Sequence, residues 1–120
     1  MKIALVLISF VMAACSRLPT ARQDSLVGEW RYADNVQSCR YRFKRDGTFT
    51  GEVHLQRKLV SRFRGSWTVQ DNFLLYRYLT DELGRIQAGT TDRDKLLSVE
   101  KEAFLIEAAD GSRRRYIRIP

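Results

Sequence analysis

The sequence is poor in the residues that carry most enzyme chemistry. One histidine, His54, stands among 120 residues, with two cysteines, Cys15 and Cys39, and two prolines. A zinc site takes three or four protein ligands, which one histidine and one spare thiol do not supply. Asp92 and Asp94 lack the glycine and the terminal glutamate of a calcium loop and read as a solvated turn. There is no glycine-rich phosphate loop. Nothing places a serine and an acid beside His54, which alternates out of step with Val53 and Leu55 and so faces outward. The expectation is a protein that is not an enzyme and holds neither metal nor cofactor. The apolar run Ile3 to Ala14 is only twelve residues, short of the roughly 20 that span a bilayer.

That run follows Lys2 and ends in Met12-Ala13-Ala14-Cys15. A positive start, a short apolar core and small residues at its end describe a secretory signal. The small pair before the cysteine resembles the lipobox of bacterial lipoproteins, although Met12 stands where that family prefers leucine. The resemblance implies cleavage before Cys15 and a diacylglycerol on its thiol. Ser16, rather than an aspartate, then implies sorting to the outer membrane. A single acyl chain holds marginally, whereas the two or three of a lipoprotein anchor stably. Residues 1–14 are thus expected to be a helical signal peptide, 15–25 a lipidated tether containing Pro19, and 26–120 one domain facing the periplasm. The alternative is an ordinary signal peptide whose cysteine is incidental.

Lysine and arginine number 21 against 14 acidic residues, a formal charge of +7, and sixteen of the basic residues are arginine. Such a surface suits nucleic acid, anionic headgroups or acidic polysaccharide. Export argues against nucleic acid, and the charges are spread along the chain as solubilising strand faces would be. With Cys15 lipidated, Cys39 has no partner. It lies in step with Tyr41 and Phe43 and is predicted to be buried as a small hydrophobe.

The rest of the chain alternates with period two, the mark of strands covered on one side. Strands are predicted from Leu26 to Tyr32, Ser38 to Lys44, Thr48 to Arg57, Leu59 to Val69 and Phe73 to Leu79. A weak strand from Arg85 to Thr91 follows, broken by Asp92-Arg93-Asp94. Leu96 to Val99, Ala103 to Ala108 and Arg113 to Ile119 complete the set, the two before the last also fitting a helical stripe. Arg45-Asp46-Gly47 supplies a tight hairpin. Eight or nine short strands at hairpin spacing predict an all-β fold, a small antiparallel up-and-down barrel or a sandwich.

Leu26-Val27-Gly28-Glu29-Trp30, the run Phe43 to Phe49 with Asp46-Gly47-Thr48, and Gly65-Ser66-Trp67 resemble the small bacterial lipocalin-like domains. The resemblance implies the barrel rather than the sandwich, with Gly28, Trp30, Asp46, Gly47 and Arg118 as structural signature residues. It implies that Trp30 closes one end and that Arg118 or Arg115 packs across it. Phe49, Val53, Trp67, Tyr76 and Tyr78 then either line a pocket for a small apolar ligand or lipid, or simply fill the barrel. Two functions are expected from this: a lipid-anchored ligand-binding module, or a filled barrel that docks on an envelope protein. Arg113-Arg114-Arg115 either grips headgroup phosphates or protects a solvated edge.

Overall fold

The computed structural model describes residues 21–120. The expected signal peptide, Cys15 and the first part of the tether lie outside the described residues. The last part of the expected tether is a short helix, α1 (Ala21–Ser25). Eight strands follow: β1 (Gly28–Ala33), β2 (Gln37–Phe43), β3 (Thr48–Leu55), β4 (Lys58–Gln70), β5 (Phe73–Asp81), β6 (Thr91–Val99), β7 (Ala103–Glu107) and β8 (Arg113–Ile119). Each pairs antiparallel with the next, and β8 returns to β1 through Glu29–Ile119, Trp30–Arg118 and Arg31–Ile117, so the sheet closes as a barrel. Closure leaves no edge strand to pair with another chain.

Alternation along each strand sets what enters the barrel. In β4, Ser61, Phe63, Gly65, Trp67 and Val69 are buried and the residues between are exposed. In β2, Cys39, Tyr41 and Phe43 point in. The core is mainly aromatic: Phe43 and Trp67 centroids lie 4.8 Å apart, as do Trp30 and Phe104, and Phe104 stacks on Tyr116 at 4.8 Å. Burying each such ring contributes roughly 1.5–3 kcal/mol. Gly65 makes room where β4 meets β5: a Cβ there would sit 1.9 Å from the Arg77 carbonyl oxygen.

The hairpins are set by local chemistry. Asp46 Oδ1 accepts from Thr48 N at 2.9 Å and from its hydroxyl at 2.6 Å, and Gly47 takes φ +88°. Asp110-Gly111-Ser112 repeats the device between β7 and β8. Gln56-Arg57 and Asp71-Asn72 have positive φ at both residues, the geometry that matches strand twist in two-residue hairpins.

Three strand expectations need correction. β1 begins at Gly28, not Leu26; Leu26 follows the helix and is fully buried. Residues 85–90 form no strand but belong to the β5–β6 loop, whose Ile86 packs on the core. Asp92-Arg93-Asp94 is not a turn: it lies inside β6, with Asp92 opposite Tyr76 and Asp94 opposite Leu74. The described residues hold eight strands, within the eight or nine expected. Cys39 is buried, and Leu96–Val99 and Ala103–Glu107 are strands, as their context implies.

Candidate functional site

The two ends of the barrel differ. At the base, α1 and the β2–β3, β4–β5 and β6–β7 turns gather. Gln23 Oε1 accepts from Val69 N at 3.0 Å and from the Thr68 hydroxyl at 3.1 Å, holding the helix on β4. Trp30 Nε1 donates to the Leu26 carbonyl at 2.9 Å. The Arg118 guanidinium covers the Trp30 ring and donates to the carbonyls of Lys101, Val27 and Ser25 at 2.8–3.0 Å. Arg118 thus lies across Trp30, and this end is plugged.

The opposite end is a mouth with an open cavity of about 290 Å³. Its wall is built from inward positions of four strands. β2 contributes Tyr41, β5 contributes Tyr76 and Tyr78, β6 contributes Asp92 and Asp94, and β8 contributes Arg114 and Tyr116; Asp110 reaches it from the β7–β8 turn. The rings pack face and edge: Tyr41 is 6.0 Å from Tyr76 and 5.7 Å from Tyr116, and Tyr76 is 6.3 Å from Tyr78. The hydroxyls find partners in one another and in the charges. Tyr76 faces Asp94, Tyr78 faces Tyr41, and Tyr116 faces Arg114.

Burial pushes the hydroxyls of Tyr41, Tyr76, Tyr78 and Tyr116 above the ordinary phenol range, so all four stay protonated. Burial also lifts the Cys39 thiol, which is therefore a poor nucleophile. Burial opposes the charge on Arg114, but Tyr116, Cys39 and Tyr41 outweigh it and the guanidinium is held cationic. Asp94 is the exception among the acids. Burial first, then the neighbouring Asp92 carboxylate, push it up to about 6. Asp92, Asp94 and Asp110 do not gather into a metal site: among the described residues, no three His, Cys, Asp or Glu side chains do.

The β5–β6 loop, whose Ile86 packs on the core, is anchored by Asp81. Its carboxylate accepts from the Ser61 hydroxyl at 2.7 Å and from the amides of Leu83, Ile86 and Arg85 at 3.0–3.1 Å. Burial works upward on Asp81, but the Ser61 hydroxyl and these amides prevail and hold it below the usual carboxylate range.

Of the five residues expected to meet a ligand, Tyr76 and Tyr78 line the mouth. Phe49 and Trp67 are packed among other rings, with Phe49 within 6.3 Å of Phe43, Phe63, Tyr76, Tyr78 and Tyr41. Val53 is half-buried against the core beside the β3 bulge. Sequence reasoning missed Tyr41, Tyr116, Arg114, Asp92 and Asp94. The signal was their phase: Asp92 and Asp94 alternate with Leu96, and Arg114 with Tyr116 and Arg118. His54 is half-buried on the outer side with Ser38 and Arg40.

No family model matches the chain, and no curated protein does. Solved structures do. A lipocalin-like protein from Bacteroides uniformis aligns with TM-score 0.58 and 15% identity, over 79% of this chain and 99% of that one. A second protein from the same organism, solved by NMR, aligns with TM-score 0.54 and 20% identity, over 78% and 88%. The chain thus has the fold of lipocalin-like proteins, an eight-stranded antiparallel closed barrel.

Proposed function

We propose that this chain is a non-enzymatic binding barrel of the bacterial envelope, anchored by lipid on Cys15 to the outer membrane and facing the periplasm. It takes a small ligand at the tyrosine-lined mouth. The observation that carries the reading is the contrast between a base filled with rings and a mouth of about 290 Å³ bordered by Tyr41, Tyr76, Tyr78 and Tyr116. Ligand sites are concavities with apolar walls and a few placed polar groups, and this mouth has both. Phe49 and Trp67 occupy the space a long acyl chain would need, so the ligand is compact, with polar groups, rather than the apolar lipid that the sequence alone suggests.

Native mass spectrometry of the protein gently released from its own membranes tests this. A reproducible adduct lost in Tyr76→Ala and Tyr116→Ala supports it. Bare protein that takes up no compound from a small-molecule library overturns it. Palmitate labelling lost in Cys15→Ser tests the anchor separately.

A second reading is an interaction module that docks on an envelope protein through its outer face. Arg31 lies directly opposite Arg40 across β1 and β2, and the acid on the other side of Arg40, Glu52, is shared with Arg62, so positive charge is left in excess on this face. Neighbouring Arg42 and Arg62 are paired to Glu29 and to Glu52. Crosslinking in intact cells that recovers one acidic partner, lost on Arg31→Glu, favours this reading; recovery of none removes it.

A further inference from the structure

The chain is basic, yet its mouth is not. Of the charged groups bordering the cavity, Asp92, Asp94 and Asp110 are acidic and Arg114 alone is basic. Asp94 is half-buried on the inner face of β6, in step with buried Leu96, while Asp92, two residues nearer the rim, is exposed. A carboxylate brought out of water loses solvation unless something of opposite charge meets it. Neither aspartate forms an ion pair among the described residues. Asp94 has the Tyr76 hydroxyl, and Arg114 is shared with Tyr116. Negative charge is left in excess at the rim of a ring of phenols, with Asp94 half-buried and Asp92 and Asp110 exposed.

The phenols add two further features. Each oxygen can accept an N–H, and each ring carries negative charge on its face that attracts cations. A cavity of about 290 Å³, at roughly 30 Å³ for a water-sized volume, has room for about ten heavy atoms. The carboxylates do not converge as one metal ion requires, so the cation that fits carries its charge on an organic frame.

We infer that the mouth takes a small protonated organic amine, its ammonium held by Asp94 and Asp92 and its carbon frame laid against Tyr41, Tyr78 and Tyr116. This rests on the reading that the barrel binds its ligand at the mouth. Binding keeps Asp94 ionised, so it weakens as acid protonates that group. The groups facing Asp94 are Asp92 on its own strand, Tyr76 on β5, Arg114 and Tyr116 on β8, Tyr41 on β2 and Asp110 in the β7–β8 turn.

Three probes of similar size and different charge test the inference: phenethylamine, phenethyl alcohol and phenylpropionate. Each is titrated into the full chain with tyrosine ring signals followed by NMR. The amine is expected to bind at the four mouth tyrosines about tenfold tighter than the alcohol, a difference of about 1.4 kcal/mol. Asp94→Asn should remove that advantage, and so should lowering the wild type to about pH 5, below the Asp94 transition. The pH arm needs no variant to fold. Equal or tighter binding of the alcohol or the anion at the same tyrosines overturns the amine while leaving mouth binding intact. No response of those rings to any probe overturns both.

Discussion

The guanidinium carbon of Arg118 lies 4.2 Å from the centroid of the Trp30 ring. The two residues face each other across the β1–β8 seam, where they are register partners. Arg118 thus fastens together the strand that closes the barrel, the residues after α1 and the β6–β7 turn. A stacked guanidinium contributes about 0.5–2 kcal/mol, and each hydrogen bond to a charged group about 1.5–3 kcal/mol. Arg118→Ala is therefore expected to cost about 3 kcal/mol or more. Arg118→Lys should recover only part, because an ammonium cannot reach three carbonyls and lie flat on the indole. Urea midpoints check both, and tryptophan fluorescence of a Trp67→Phe background would report Trp30 through the same unfolding.

Gly65 and Gly51 both lie where a side chain would collide, but with different neighbours. A Cβ at Gly65 would meet the Arg77 backbone oxygen at 1.9 Å; at Gly51 it would meet the Phe63 ring at 2.5 Å. A ring can turn, whereas a backbone held in a sheet cannot. Gly65→Ala is expected to cost about 4 kcal/mol or prevent folding, and Gly51→Ala about 1–3 kcal/mol. Expression and thermal melting of the pair give the comparison.

The phase of side chains made most of this architecture legible in advance. Trp30 with Gly28, and Phe63 with Trp67, alternate so regularly that face and strand follow together. The Asp46-Gly47-Thr48 turn was equally plain, because its local hydrogen bonds form whatever surrounds it. The β5–β6 loop was not. Ile86, Ala88 and Thr90 alternate as a strand would, yet only the Ile86 side chain finds the core, and Asp81 draws the loop's amides into a turn while Ser61 on β4 holds its carboxylate. Asp92 and Asp94 look like turn residues in isolation. Asp92 stays exposed in β6, and half-buried Asp94 is met only in part, by Tyr76 on the adjacent β5 and by Arg114 on β8. That compensation is tertiary, so the mouth was hidden while the base was visible.

Asp81 supplies a test of the loop. Asp81→Ala removes the acceptor for the amides of Leu83, Arg85 and Ile86. With about 1.5–3 kcal/mol per charge-assisted bond, amide exchange across residues 83–86 should quicken about tenfold or more. Exchange within β2 and β4 should change far less, since their ladders remain.

Stability should also respond to acid in an unusual sense. Asp94 is raised from 3.8 to about 6 in the folded state, so folding favours its protonated form. Its contribution to stability therefore increases as pH falls from about 6 towards 4. Below that window the order reverses, because Asp34, Asp46, Asp81 and Asp110 are held low by their hydrogen bonds and lose them on protonation. The melting temperature is expected to pass through a maximum on the acid side of neutrality. Asp94→Asn should flatten the rise between about pH 6 and 4 and leave the fall below it.

The central claim is that the base of this barrel is solid and its mouth is the place for a ligand. Xenon pressurisation of crystals, followed by difference density, tests the first half while a bound adduct tests the second. The most direct single measurement is NMR of protein labelled on tyrosine, phenylalanine and tryptophan rings, titrated with a small-molecule library. Saturable shifts are expected at Tyr41, Tyr76, Tyr78 and Tyr116, with Phe43, Trp30 and Trp67 unmoved. Shifts centred on Trp30 and Phe43, or saturable binding that leaves all four mouth tyrosines unchanged, would contradict it.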